Sequence, residues 1–138
     1  MQHDLLTKFK KYMKRILFLL IVIFATGMAS AQQKEASITV VGEAVYDFGD
    51  IKESDGSASH TFVMLNNGEL PLVISRVIAS CGCTMPEWTK EPIAPGKTGE
   101  VKVTYDTAGR PGPFARTISI YSNGKTGNYV LTIKGDVK

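Results

Sequence analysis

The residues best suited to chemistry gather in one short run, Cys81-Gly82-Cys83, with Met85 two positions further on. Two thiols across a single residue admit three chemistries. In an oxidising compartment they close a local disulfide. An extended strand would hold the two Cα atoms about 7 Å apart, at the margin of bridge geometry, and Gly82, lacking a Cβ, lets the backbone bend there. Such a bridge closes almost no loop, so its stabilising effect is small and its value is local. Strain would make the same pair easier to reduce, which is the basis of a thiol redox reading. Against it, no basic residue stands between Arg76 and Lys90 to lower a thiol pKa. The third chemistry is soft-metal binding: Cys81, Cys83 and Met85, joined by His60 from another strand, form a donor set suited to copper(I). Zinc lacks four ligands unless carboxylates are recruited.

Other candidates are weaker. Ser80 adjoins the cysteines, but a serine nucleophile needs a base, and His60 is the only histidine beyond the amino-terminal segment. Asp47, Asp50, Glu53 and Asp55 surround a glycine-bearing loop without the spacing of a dedicated calcium loop, and read as a solvated acidic turn. Gly109-Arg110-Pro111-Gly112 lacks the Lys-Ser/Thr and helix of a phosphate loop, so Arg110 and Arg116 read as surface charges. Tyr105, Tyr121 and Tyr129 fall on separate strands, as sheet residues or as a glycan-stacking patch. The expectation is a protein without enzymatic activity or cofactor, with copper as the alternative.

Compartment follows from the amino terminus. Residues 1–31 hold five basic side chains, Lys8 to Arg15, the unbroken apolar run Ile16 to Ala25, and Ala29-Ser30-Ala31. A basic region, a short apolar stretch and a small-residue cleavage site make a secretory signal peptide; Met13 offers a second start. Ten apolar residues fall short of the roughly 20 that span a bilayer, so no stable membrane insertion is expected after cleavage. The chain's net charge of +3 comes largely from this segment, and the remainder carries 11 basic and 12 acidic side chains against totals of 16 and 13. That balance argues against nucleic acid as a partner. The expected location is the periplasm or the extracellular medium.

The elements that must position the cysteines are strands. Apolar and β-branched segments alternate with turn signals, and no sustained helical stripe follows residue 37. Ile38 to Phe48 reads as a first strand interrupted near Gly42. His60 to Leu65 ends in Asn66-Asn67-Gly68, a positive-φ turn signal. Leu70 to Ala79 follows, with Pro71 at its start or edge. Gly99 to Tyr105 alternates cleanly, and Phe114 to Tyr121 and Tyr129 to Ile133 complete about seven strands. Phe62, Val101, Val103, Tyr105, Ile118 and Ile120 are the core candidates, while Trp88 fits a core or a rim. Residues 38–138 are thus expected to form a single all-β domain, an immunoglobulin-like sandwich of about seven antiparallel strands, rather than a small barrel.

Taken in order, Asp47-Phe48-Gly49, Phe62 with Asn66-Asn67-Gly68, Cys81-Gly82-Cys83-Thr84, Ile93 with Pro95-Gly96, and Gly109 with Gly112-Pro113-Phe114 and Ser122-Asn123 resemble the bacterial DUF1573 domain. The resemblance spans roughly residues 44–135. It implies an exported protein of a family widespread in Bacteroidota, with an immunoglobulin-like or PapD-like sandwich and no assigned catalytic residue. The expected function is an exported structural or interaction module, offering an edge strand or loops to a cell-envelope protein or glycan. The alternative is a thiol redox or copper-handling protein built on Cys81-Gly82-Cys83.

Overall fold

A computed structural model describes residues 2–25 and 33–138. The chain divides into two units, Met1–Gln33 and Lys34–Lys138. In the first, Gln2–Ala25 form helix α1. Among the described residues no helix is long and apolar enough to cross a membrane. The Ala29-Ser30-Ala31 motif lies outside the described residues.

The second unit is a β-sandwich of eight strands: β1 (Ile38–Val40), β2 (Val45–Ile51), β3 (Ser57–Asn66), β4 (Ile74–Ala79), β5 (Thr84–Trp88), β6 (Thr98–Asp106), β7 (Gly112–Ser122) and β8 (Asn128–Val137). One sheet has the order β1-β3-β6-β5, the other β2-β8-β7-β4. The strict alternation of β6 turns Val101, Val103 and Tyr105 inward, opposite Ile118 and Ile120 of β7 and Leu131 and Ile133 of β8. Phe62, Val101, Val103, Tyr105, Ile118 and Ile120 are all buried. Each such aliphatic side chain contributes about 1.5–3 kcal/mol by leaving water.

Three details differ from the sequence reading. The interrupted first strand is two strands in different sheets, separated at Gly42, whose φ of +100° suits a residue without a Cβ. Val40 lies opposite Met64 and Tyr46 stacks on His60, so the chain keeps its direction along β3 while it changes sheet. It therefore pairs parallel with β8, and the sandwich is not wholly antiparallel. Second, Thr84–Trp88 is a strand, and its Pro86 is tolerated because β5 is an edge. Third, no positive φ occurs at Asn67 or Gly68. Instead the fully buried Asn66 side chain organises the turn, donating to the carbonyls of Leu70 (2.8 Å) and Ile93 (2.9 Å) and accepting from Gly68 N–H (3.0 Å). Gly68 is needed for close approach, since a Cβ there would lie 2.4 Å from the Glu35 carbonyl oxygen.

Candidate functional site

The cysteine run is where the chain crosses between sheets. β4 gives out at Ala79, and Ser80 prolongs its pairing with β7: its N–H donates to the Thr117 carbonyl (2.9 Å) and its Oγ accepts from Thr117 N–H (3.1 Å). Cys81, Gly82 and Cys83 then turn, with Thr84 N–H donating to the Cys81 carbonyl (3.3 Å). The Cys83 carbonyl accepts from Asp106 N–H (2.9 Å), which enters β5 beside β6 in the other sheet. The turn brings the cysteine Cα atoms to 5.3 Å, with the two sulfurs next to each other. Gly82 itself lies outside the left-handed region, and a Cβ on it would meet nothing within 4 Å. The bend therefore does not depend on glycine, contrary to the role expected of it.

The pair has an asymmetric setting. Cys83 is buried, whereas Cys81 is only half-buried at the edge of the core. Thr84, 4% exposed, holds its Oγ1 3.4 Å from Cys81 Sγ and 3.9 Å from Cys83 Sγ. Thr84 lies opposite Tyr105, whose ring stacks on Phe114 at 3.9 Å.

Arg116 belongs to the same end of the sandwich. β4 and β7 pair Ile78 with Ser119 and Ala79 with Ile118, and Ser80 bonds to Thr117. Cys81 and Arg116 are thus the residues next to this last pairing, one entering the turn and the other on β7. Arg116 shares the inner face with Phe114, Ile118 and Ile120, and is half-buried where Ala115 and Thr117 on either side are exposed. Its Nη1 donates to the Ala115 carbonyl (3.0 Å). Its Nε is buried and, among the described residues, has no acceptor. Arg116 is thus a half-buried charge whose Nε is covered while its Nη1 bond to Ala115 lies at the exposed surface. The separation of 35 positions in sequence hid that both it and Cys81 lie at this end of the sandwich, although the inward parity of Phe114-x-Arg116-x-Ile118 was a readable signal.

The proposed copper ligands do not converge. A turn, not a strand, separates Cys81 from Cys83, so the two-residue spacing does not place all three sulfur residues on one face; Met85 points outward and is 59% exposed. His60 lies on β3, across β6 from β5, with its ring stacked on Tyr46 at 3.5 Å and edge-on to Phe62. Burial lowers its pKa below the ordinary histidine value. No group of three His, Cys, Asp or Glu among the described residues could hold a metal ion.

The acidic turn is dispersed. Asp47 accepts from Gly49 N–H (2.8 Å) and pairs with Lys134 (3.3 Å), and the backbone bond first, then the lysine, hold its pKa below the usual carboxylate value. Glu53 accepts from Gly109 N–H (2.7 Å), and Asp50 pairs with Lys138. The tyrosines form no common platform: Tyr105 is in the core, Arg76 covers the Tyr121 ring at 4.2 Å, and Tyr129 packs on the core's margin.

A second feature is an uncovered strand edge. β1 pairs with β3 only over Met64–Asn66, and Val41 N–H adds one bond to the Val63 carbonyl (2.8 Å). Val63 therefore presents its backbone groups away from β6, and so, by alternation, do Thr61 and Ser59. Among the described residues no strand pairs with this side of Ser57–Thr61.

A family model described as "Protein of unknown function (DUF1573)" matches residues 38–137. No curated protein matches the chain by sequence. Among solved structures, a protein of unknown function from Porphyromonas gingivalis W83 superposes with a TM-score of 0.65 at 17% identity, covering 80% of this chain and 51% of the other. The chain thus spans about half that protein's length. The ASH/PapD-like domain 7 of human CEP192 gives 0.60 at 7% identity, covering 80% and 91%. The VesB protease of Vibrio cholerae gives 0.56 at 17% identity, covering 75% of this chain but 32% of the protease. At these identities the likeness is one of fold.

Proposed function

Because the chain belongs to the DUF1573 family, whose function is unknown, we propose from its own geometry that it is an exported interaction module. Its partner is an extended segment of a cell-envelope protein, which adds as a strand to the outer edge of β3. The observation that carries this reading is the uncovered run Ser57–Thr61, with the backbone groups of Ser59 and Thr61 facing outward. Strand addition draws its affinity from main-chain hydrogen bonds and needs no cluster of reactive side chains. The run Ser57-Ala58-Ser59-His60-Thr61 contains neither lysine nor proline, two residues that block edges. A glycan held by the loops is the other occupant of this class. Export rests on the basic and apolar segments and Ala29-Ser30-Ala31; amino-terminal mass spectrometry of the exported protein should find Gln32 first.

The test is hydrogen exchange on the mature protein with the envelope protein that co-purifies with it. Ser59 and Thr61 amides should exchange freely alone and become protected in the complex. Thr61→Pro, which removes an outward N–H and no bond to β6, should abolish binding while circular dichroism stays unchanged. Protection confined to loops, or undiminished binding by the proline variant, would reject the strand-edge reading.

A second reading has its own observation: the sulfurs of Cys81 and Cys83 lie next to each other in a turn, with a buried threonine hydroxyl beside both. We propose that they are oxidised to a reducible disulfide in the exported protein. Thiol labelling before and after reduction checks it, and two labelled thiols in freshly isolated protein would overturn it.

A further inference from the structure

We propose that Arg116 is the charge partner of a Cys81 thiolate, and that the cysteine turn exchanges disulfides with dithiols of other exported proteins. The inference goes beyond the strand-edge reading and rests on the oxidised pair. It starts from the buried, unpartnered Nε of the half-buried Arg116, which follows directly on the Ser80–Thr117 pairing that leads into Cys81. A buried N–H without an acceptor forfeits its hydration, at a cost that native proteins rarely leave uncompensated. Disulfide sulfur is uncharged and a weak acceptor. A thiolate at Cys81 would offer that donor an anionic partner, which converts the unmet donor of the oxidised state into stabilisation of the reduced one.

The asymmetry of burial assigns the roles. Cys81 is the more accessible sulfur and Cys83 the buried one. A partner thiolate attacks Cys81 Sγ; a mixed disulfide forms, the Cys81–Cys83 bond breaks, and Cys83 departs with the electron pair and takes a proton. The partner's second thiolate then attacks its own bridged sulfur, and Cys81 leaves as a thiolate opposite Arg116. The partner's two thiols lose two electrons and two protons. The turn gains both electrons, Cys83 keeps one proton, and the other passes to solvent. The Thr84 hydroxyl, within reach of Cys81, is a second donor to the same thiolate.

The experiment is alkylation of the fully reduced mature protein across pH, with each cysteine read by peptide mapping. Cys81 should titrate about one unit or more below the free-thiol value of about 8.5, as expected beside a cation, and Cys83 should not. Arg116→Gln should return Cys81 toward that value and slow its labelling at neutral pH about tenfold. Arg116→Lys should keep most of the shift, which a purely structural role for the arginine would not predict. The Arg116→Gln pair should also be harder to reduce against glutathione. If the glutamine variant fails to fold, the wild-type difference between Cys81 and Cys83, with the lysine variant, still decides. Equal titration of the two thiols in wild type, or an unchanged Cys81 in Arg116→Gln, would overturn the proposal. So would a pair that air and glutathione disulfide leave reduced. Thr61→Pro should leave these titrations unmoved, which separates failure here from failure at the strand edge.

Discussion

The two lateral sides of the sandwich treat their strand edges differently. On the β4–β5 side the edges are closed. β4 carries a register shift between Ile74 and Arg76, β5 carries Pro86, and Trp88 reaches across the sheets to donate its indole N–H to the Ile74 carbonyl at 3.2 Å. The cysteine turn joins the same two strands. On the β1–β2 side the strand changes sheets at Gly42, covers β3 over three residues, and leaves Ser57–Thr61 bare. Bulges and prolines are how proteins blunt an edge against pairing. The contrast teaches that pairing is suppressed at one side and left available at the other, while the cysteine turn sits on the suppressed side.

Perturbations can sharpen that contrast, and the largest should ignore it. Ile118 is fully buried at the centre of β7, and Ile118→Ala should lose roughly 2–5 kcal/mol in denaturant titration. A smaller loss would mean the core between the sides is looser than its burial indicates. Replacing Cys81 and Cys83 together by serine should leave the domain folded and cost about 2 kcal/mol or less, because the ring that the proposed disulfide closes is tiny. Amide exchange should quicken in β4 and β5 only. A larger loss, or quickening in β3, would show that the cysteine side supports the whole sandwich. Trp88→Phe removes the indole donor and keeps an aromatic ring; it should cost about 1 kcal/mol and hasten exchange along β4. No change in midpoint or exchange would remove Trp88 from the devices that close this side.

Much of this was legible in the residues, and the failures have physical causes. The alternation in Val101, Val103 and Tyr105 specified an inner face because strand parity is local. Pro86 concealed β5, since proline argues against a central strand and says nothing against an edge. The Asn-Gly pair at 67–68 read as a turn of positive φ, yet the buried Asn66 amide does that work through bonds to residues as distant as Ile93. At the candidate site the thiols were conspicuous and the cation was not. Arg116 comes to the same end of the sandwich only through the pairing of β4 with β7, strands far apart in sequence, which the neighbourhood of Cys81 along the chain does not reveal.

The smallest expected effect belongs to the open side. His60 points inward from the bare stretch of β3, stacked on Tyr46, and partial burial lowers its pKa below the ordinary value of 6.5. The neutral ring is therefore favoured by the folded state, while the unfolded chain binds a proton more readily. Stability from this group is present above the unfolded pKa and is lost as pH falls through the lowered folded one. Denaturant midpoints should accordingly decline as the solution is acidified from neutrality to about pH 5, ahead of carboxylate titration. His60→Gln should flatten that decline. Exchange at Ser59 and Thr61 should rise with acidification beyond its intrinsic chemistry in wild type and not in the variant, since protonation unsettles the ring that packs β2 against this part of β3. A midpoint that climbs on acidification, or a decline that survives in His60→Gln, would show that the open side's sensitivity to pH lies in some other group.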